Sequence, residues 1–109
     1  MRIISGKFKG CKLDIPIDKE TRPLKDLTKE SIFNVLMHSK VCFKELTNSN
    51  VLDCFSGTGS FGLECISRGS KKTIFLENYG PALKVLYKNI RKLKVEQLSK
   101  VYSGKIESF

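Results

Sequence analysis

Two carboxylates and a glycine-rich loop are the residues of this chain best suited to chemistry. Asp53 ends a short apolar run, residues 57–62 form a G-x-G-x-x-G loop, and Glu77 follows a second apolar run. This order is typical of a nucleoside-binding β-α-β unit, in which the loop opens a helix and the second carboxylate reaches a ribose. The alternative is that the glycines only make a tight turn between a strand and a helix.

The position of Asp53 distinguishes two cofactor classes. A dinucleotide places its pyrophosphate against the loop amides and the helix N-terminus, where a carboxylate at residue 53 would repel it. S-adenosylmethionine (SAM) has no phosphate and carries an ammonium and a sulfonium, so we favour SAM over a nicotinamide dinucleotide. Asp53 then faces the methionine end, Glu77 accepts hydrogen bonds from the ribose hydroxyls, and the loop backbone approaches the adenosine. The predicted cofactor-binding residues are Asp53, Phe55, Ser56, Gly57, Thr58, Gly59, Glu77 and Asn78.

The elements that position these residues are strands at residues 51–54, 73–77 and 100–103, which supply one half of a doubly wound sheet. A short helix follows the loop and ends at Gly69. A second helix over residues 81–94 carries one apolar stripe and an opposite basic face. The stripe consists of Leu83, Leu86, Tyr87, Ile90 and Leu93, and the basic face includes Lys84, Lys88 and Arg91.

The first fifty residues read as a basic appendage. Residues 2–5 and 12–15 predict a β-hairpin with a basic tip, in which Phe8 stands between lysines and offers a stacking surface for RNA. The alternative is a solvated hairpin with Phe8 in the core. The predicted RNA-binding residues are Arg2, Lys7, Lys9, Lys12 and Arg22. A helix over residues 26–38 is expected to turn Ile32, Phe33, Val35 and Leu36 inward.

The composition of the chain limits the kinds of partner that it is expected to bind. The net charge is +9, and both halves are basic, with ten Lys plus Arg against six acids before residue 51 and ten against five after it. Such a balance favours an anionic partner, most simply RNA. The four cysteines form no C-x-x-C pair and there is one histidine, so we expect no metal site. No run approaches membrane-spanning length, and we expect free thiols in a reducing cytoplasm.

Cys54 and Glu64 also lie near the loop in the sequence. A structural role is expected for the first, and two roles are possible for the second. Cys54 is expected to pack in the strand rather than to act as a nucleophile. Glu64 is predicted to lie in the first turn of the loop helix. Its carboxylate could pair with the ammonium of the cofactor, or it could only interact favourably with the helix dipole.

The chain as a whole resembles the RsmD-type bacterial methyltransferases. The resemblance lies in residues 1–13 (MRIISGKFKGCKL), the Arg22-Pro23 pair, residues 30–36 (ESIFNVL) and residues 51–69. It implies transfer of a methyl group from SAM to the exocyclic N2 of a guanine in small-subunit (16S) ribosomal RNA. It also implies a Rossmann-like class I SAM-dependent methyltransferase fold (α/β), here with an incomplete sheet and preceded by the hairpin and helix. Lys29 departs from the family, which has an arginine at that place.

The family's catalytic tetrapeptide, Asp or Asn followed by Pro-Pro and an aromatic, does not occur in these residues, whose prolines are all isolated. We therefore expect residues 1–46 to be the appendage, residues 47–109 to be the first half of the SAM-binding domain, and the catalytic half to lie elsewhere. A small-subunit ribosomal particle or its RNA is the expected substrate. An unpaired edge of the first strand is expected to promote self-association. The alternatives are a non-catalytic basic RNA-binding module or half of an NAD-dependent oxidoreductase.

Overall fold

Three helices and three strands form the part of the chain described by the computed structural model, which comprises residues 1–16, 26–38, 46–54 and 56–104. In chain order they are α1 (Asp26–His38), β1 (Asn50–Asp53), α2 (Ser60–Ser67), β2 (Lys72–Leu76), α3 (Gly80–Leu93), a 3-10 turn (Glu96–Leu98) and β3 (Ser99–Tyr102). Each strand begins one residue earlier than predicted, which is within the ordinary uncertainty of element ends. The predicted order of strands and helices is confirmed.

The strands form one parallel sheet in the order β1-β2-β3. Phe75 on β2 packs in one cluster with Leu63 of α2 and Leu86 of α3, so both crossover helices cover the same face. Asp53 pairs in register with Phe75 and therefore belongs to this covered face. Because side chains alternate along a strand, Leu52 lies on the opposite face, where 58% of it is exposed. We call this second side the open face of the sheet.

Residues 1–16, which we call the N-terminal segment, join the same core as the sheet. Ile3 and Leu13 are buried in the cluster that contains Phe75 and Leu86. Burying such side chains is the main favourable contribution to folding. The boundary expected between residues 46 and 47 stays a prediction, and the described contacts cross it.

The hairpin predicted in the N-terminal segment has much shorter strand pairing than expected. Arg2 and Lys12 form an isolated antiparallel bridge, and the N–H of Ile3 donates to the Cys11 carbonyl at 2.9 Å. Full strands over residues 2–5 and 12–15 are wrong, because the N–H groups of Ile4 and Ser5 donate to a side chain of α2 instead of to a partner strand.

Helix α1 has the predicted bounds but a different inward face. Lys29 and Phe33, four residues apart, are both fully buried, whereas Val35 is 70% exposed. Val35 was expected to face inward, and that expectation is wrong. At 100° per residue it lies about 200° around the helix from Phe33. Ile32 and Leu36 are half-buried at the margins.

Helix α3 begins at Gly80 with a proline in its first turn, where the missing N–H costs nothing. Leu86, Ile90 and Leu93 are buried as predicted, while Tyr87 is 44% exposed, so its predicted place in the buried stripe is wrong. The buried positions on that side are instead completed by Ala82 and Asn89. None of the described helices combines the length and apolarity needed to cross a membrane.

Candidate functional site

The site predicted from the sequence lies where β1 and β2 end. In open parallel sheets, ligands bind beyond the carboxyl ends of the strands. Asp53 is the last residue of β1, and Glu77 directly follows β2. The residues between them that form the glycine loop, 56–59, lead into α2, so both carboxylates and the loop meet at one end of the sheet.

Asp53 is held against the start of α2. Its side chain is mostly buried, and Oδ2 accepts a hydrogen bond from the N–H of Gly62 at 3.2 Å. The backbone carbonyl of Asp53 accepts a hydrogen bond from the Ser56 hydroxyl at 2.8 Å, which fixes the turn out of the strand. Helix α2 has no side-chain cap at Gly59. The carboxylate therefore places negative charge at a helix N-terminus, a position where it is stabilised.

Glu77 joins the loop to the start of α3. Its Oε1 accepts a hydrogen bond from the N–H of Gly57 at 2.7 Å. Its Oε2 accepts from the N–H groups of Asn78 at 3.1 Å and Tyr79 at 3.0 Å. Each carboxylate oxygen has two lone pairs, so the half-buried Glu77 retains acceptor capacity while it organises the backbone.

The two loop glycines have different surroundings. Gly57 has φ +54° and open space where a Cβ would stand, so the backbone is approachable from outside. Gly59 has φ +90°, and a Cβ there would lie 2.5 Å from Cδ1 of Leu86 on α3. Glycine tolerates such positive φ values without steric cost. The first glycine thus leaves room for a ligand, and the second lets the loop lie against α3.

Ser56 and Thr58 complete the described loop and are both buried. The carbonyl of Thr58 accepts a hydrogen bond from Nδ2 of Asn89 at 3.0 Å. Sequence reasoning missed Asn89. Its signal was a polar residue within the apolar stripe of α3, three residues after Leu86 and four before Leu93. Phe55 lies outside the described residues.

Glu64 takes neither of the two roles considered for it. Its carboxylate is fully buried and accepts hydrogen bonds from the N–H groups of Ile4 at 2.9 Å and Ser5 at 3.0 Å. It also forms ion pairs with Nζ of Lys29 at 3.2 Å and Nε of Arg68 at 2.8 Å. Glu64 lies beyond the first turn of α2, so it does not serve the helix dipole. It fastens the N-terminal segment and α1 to α2.

Lys29 is the second buried charge of this group. Its ammonium donates to the carbonyl of Arg2 at 2.6 Å and to the hydroxyl of Ser60 at 3.0 Å. Burial lowers the pKa of Lys29 below its ordinary value, and the negative charge of Glu64 opposes that shift. Lys29, which stands where the family has an arginine, therefore connects the N-terminal segment with the first residue of α2.

Cys65, which is buried on α2 near the site, does not offer a thiolate. Burial, followed by the charges of Asp53 and Glu64, raises the pKa of Cys65 to about 12. Cys65 is therefore a neutral thiol at physiological pH. Cys54, half-buried just after β1, carries a free thiol. The described residues contain no group of three or more metal-ligating side chains.

Four of the five basic residues predicted to contact RNA lie in the described part of the chain, and all four are exposed. Phe8 is half-buried and packs on the core, and its N–H donates to the Ser67 hydroxyl at 2.9 Å. These contacts agree with the alternative in which Phe8 packs on the core, and a stacking role for its half-buried ring stays a prediction. Lys7, Lys9, Lys12 and Arg2 are exposed, and Arg2 also lies 3.7 Å from the Asp26 carboxylate. Arg22 lies outside the described residues.

A parallel β-α-β-α-β unit with a glycine loop and two carboxylates at the strand ends defines the first part of a Rossmann-like methyltransferase fold. The solved structure of a putative methyltransferase, yhhF, from Escherichia coli superposes on the entire chain with a TM-score of 0.81 and 30% identity, and the match covers 55% of that structure. The fold class predicted from the sequence is confirmed.

The family model described as "Conserved hypothetical protein 95" matches residues 1–109, and the chain belongs to this family. A ribosomal RNA small subunit methyltransferase D from Haemophilus influenzae is 39% identical over 94 residues, which are 86% of this chain and 46% of that protein. A putative rRNA methyltransferase, YlbH, from Bacillus subtilis is 34% identical over 107 residues, which are 98% of this chain and 55% of that protein. The chain thus spans about half the length of the curated relatives it matches, and the resemblance to the RsmD type is confirmed.

Proposed function

We propose that this chain is the SAM-binding part of an enzyme that methylates the N2 atom of a guanine in small-subunit ribosomal RNA. The observation that carries the proposal is the arrangement of Asp53 and Glu77 around a glycine loop whose first glycine is open to a ligand. The names of the relatives support ribosomal RNA as the substrate class. The choice of guanine N2 follows from the motifs shared with RsmD-type enzymes.

The surroundings of Asp53 support SAM over a dinucleotide. The N–H of Gly62, in the first turn of α2, already donates to the Asp53 carboxylate. A pyrophosphate would need that helix N-terminus and would lie beside a mostly buried negative charge. A cationic ligand gains from the same charge. The chemistry that bound SAM supplies is a methyl group on a positively charged sulfur.

Each part of the site has a binding role in this proposal. Asp53 attracts the ammonium and sulfonium end of the cofactor. The amides of Asn78 and Tyr79 occupy both lone pairs of Oε2 of Glu77, and the amide of Gly57 occupies one of Oε1, so Oε1 keeps one lone pair that accepts a hydrogen bond from a ribose hydroxyl. The open space at Gly57 admits the adenosine. These residues bind and orient, and positioning of this kind supplies much of the rate of methyl transfer.

The RNA-binding role rests on charge. Lys7, Lys9 and Lys12 are exposed on the N-terminal segment, and the whole chain carries +9. RNA binding is expected to weaken steeply as salt rises, because bound phosphates release counterions. The target guanine must leave its stack to reach a cofactor. The Pro-Pro tetrapeptide that would hold its amine is not among the 109 residues, so we propose SAM binding for the chain itself and catalysis for the complete enzyme.

The test is thermal stabilisation of the 109-residue chain by SAM or its demethylated product, S-adenosylhomocysteine. At about 100 times Kd, a ligand stabilises the folded state by about 2.7 kcal/mol. Asp53→Ala and Glu77→Ala should abolish the shift in Tm, measured relative to each variant without ligand. Glu96→Ala is the matched control, since Glu96 is exposed on the 3-10 turn, and it should retain the shift.

Three other outcomes would redirect the proposal. RNA binding without any response to SAM or its product favours a non-catalytic RNA-binding module, which the +9 charge would suit. Stabilisation by NADH, where SAM gives none, favours an oxidoreductase half. A full SAM response in both Asp53→Ala and Glu77→Ala contradicts the site described above.

A further inference from the structure

Asn89 makes three hydrogen bonds to backbone atoms of two distant segments. It is fully buried on α3. Its Nδ2 donates to the carbonyl of Thr58 at 3.0 Å and to the carbonyl of Asp14 at 3.1 Å. Its Oδ1 accepts from the N–H of Asp14 at 2.7 Å. One side chain therefore connects the candidate cofactor loop with the end of the N-terminal segment.

The loop is held between two side chains at consecutive residues. Glu77 accepts a hydrogen bond from the N–H of Gly57, and Asn89 donates one to the carbonyl of Thr58. Glu77 is half-buried and accessible to a ligand, whereas Asn89 has no exposed surface. Asn89 can therefore act on a bound cofactor only through the backbone that it holds.

A second connection runs in parallel with the first. Lys29 donates both to the carbonyl of Arg2 and to the hydroxyl of Ser60, the first residue of α2. The loop of residues 56–59 is thus tied to the N-terminal segment at its third residue, Thr58, and directly after its end, at Ser60. Both connections are buried, where hydrogen bonds are strong and an unpaired partner is costly.

We propose that Asn89 is a positioning residue that sets the cofactor loop and couples its order to that of the N-terminal segment. This inference deepens the proposed function and rests on it for the identity of the ligand. Since coupling between two sites is reciprocal, cofactor bound at the loop stabilises the segment that carries Lys7 and Lys9. The basic segment, when bound to RNA, stabilises the loop in turn.

The experiment compares amide hydrogen exchange in the free 109-residue chain and in Asn89→Leu and Asn89→Ser. Leucine has the same branching at Cγ as Asn89 but is larger and makes no hydrogen bonds, and serine leaves room for water if the leucine variant does not fold. Exchange at Gly57 and Gly59 should accelerate about tenfold relative to Phe75 in β2, as expected for the loss of a buried hydrogen bond. Affinity for S-adenosylhomocysteine should fall by a similar factor.

Leu93→Ala is the matched control, because Leu93 is buried on the same helix but makes its contacts in the core cluster. It should lower Tm while the ratio of loop to strand exchange stays as in the unchanged chain. Adding S-adenosylhomocysteine should slow exchange in the unchanged chain at Leu13, which precedes Asp14 and whose N–H donates to the Met1 carbonyl. The effect should be smaller in the Asn89 variants, which keep only the connection through Lys29. Loop exchange that is unaltered in both Asn89 variants overturns the inference. If the unchanged chain does not bind S-adenosylhomocysteine, the proposed function is contradicted instead. The amide exchange of the loop in the free protein then still tests whether Asn89 positions it.

Discussion

At Gly62, the third glycine of the loop motif, the absence of a side chain lets α2 lie directly on β2. A Cβ there would stand 2.3 Å from Cε1 of Phe75 and 3.0 Å from Cγ2 of Thr73, and both neighbours are fully buried. A packed core has little free volume to absorb such a clash. We therefore expect Gly62→Ala to lower the free energy of unfolding by about 1–3 kcal/mol, measured by urea denaturation.

The control is Gly80→Ala at the start of α3. Nothing lies within 4 Å of a Cβ at Gly80, and its φ is not positive. Alanine has the higher helix propensity, while its Cβ before Pro81 disfavours the helical conformation. These effects oppose each other, so we expect this variant to change the stability by less than about 1 kcal/mol. Equal stability of Gly62→Ala and Gly80→Ala would contradict the close approach of α2 to β2.

Lys29 and Glu64 form a buried ion pair that stabilises the fold rather than binding a ligand. Removing one member of a buried pair leaves a charge without a partner, which is usually far more costly than replacing both. Glu64 serves two backbone N–H groups as well as two cations. It therefore belongs to the framework of the fold, and its effect on cofactor binding is indirect.

At the scale of elements, the N-terminal segment is attached to the end of α2. The N–H of Lys7 donates to the carbonyl of Ser67 at 2.8 Å, and the Ser67 hydroxyl donates to the carbonyl of Ser5 at 2.6 Å. Gly6 lies between them with φ +88°, and a Cβ there would stand 2.0 Å from the Ser67 carbonyl oxygen. The basic tip is thus held in place by a backbone contact that only glycine permits.

Gly6→Ala is expected to detach this segment, while Gly10→Ala provides the matched control. Gly10 has nearly the same φ, +86°, but nothing lies within 4 Å of its Cβ position. Both variants therefore pay about the same backbone strain, of order 1 kcal/mol, and only Gly6→Ala adds the clash. We expect Gly6→Ala to be less stable than Gly10→Ala by about 1–3 kcal/mol, with faster amide exchange at Lys7. Identical stability and exchange in the two variants would contradict the attachment.

The whole molecule shows which features local sequence patterns can and cannot predict. The order of strands and helices follows from apolar runs, glycines and the stripe of α3, which are local signals. The contacts of Asn89 and of Glu64 with the N-terminal segment join residues about 60 to 75 positions apart. A local pattern can mark Asn89 as a polar residue in an apolar stripe, but it cannot reveal such distant partners. The prediction for Val35 failed for the same reason. Lys29 is buried on α1 in its place because it pairs with Glu64, which is distant in sequence.

Self-association also belongs to the whole molecule. In the described sheet, β1 pairs with β2 on one side only, and Leu52 on the open face aligns with the half-buried Ile74. An exposed strand edge with apolar neighbours is a template for pairing with another chain. The net charge of +9 opposes this by repulsion, which salt screens. We therefore expect concentration-dependent association that strengthens as salt rises, the opposite of the salt dependence expected for RNA binding.

Leu52→Lys tests this expectation, because it places a charge on the open face and tends to block edge pairing. Sedimentation velocity over a range of protein and salt concentrations should show less association for Leu52→Lys than for the unchanged chain. Leu27→Lys adds the same charge at a site on α1 that is 75% exposed and outside the sheet, and it should associate as the unchanged chain does. If both variants associate less than the unchanged chain and to the same extent, repulsion from the added charge explains the result. If neither associates less, the part of β1 around Leu52 is not the contact between chains.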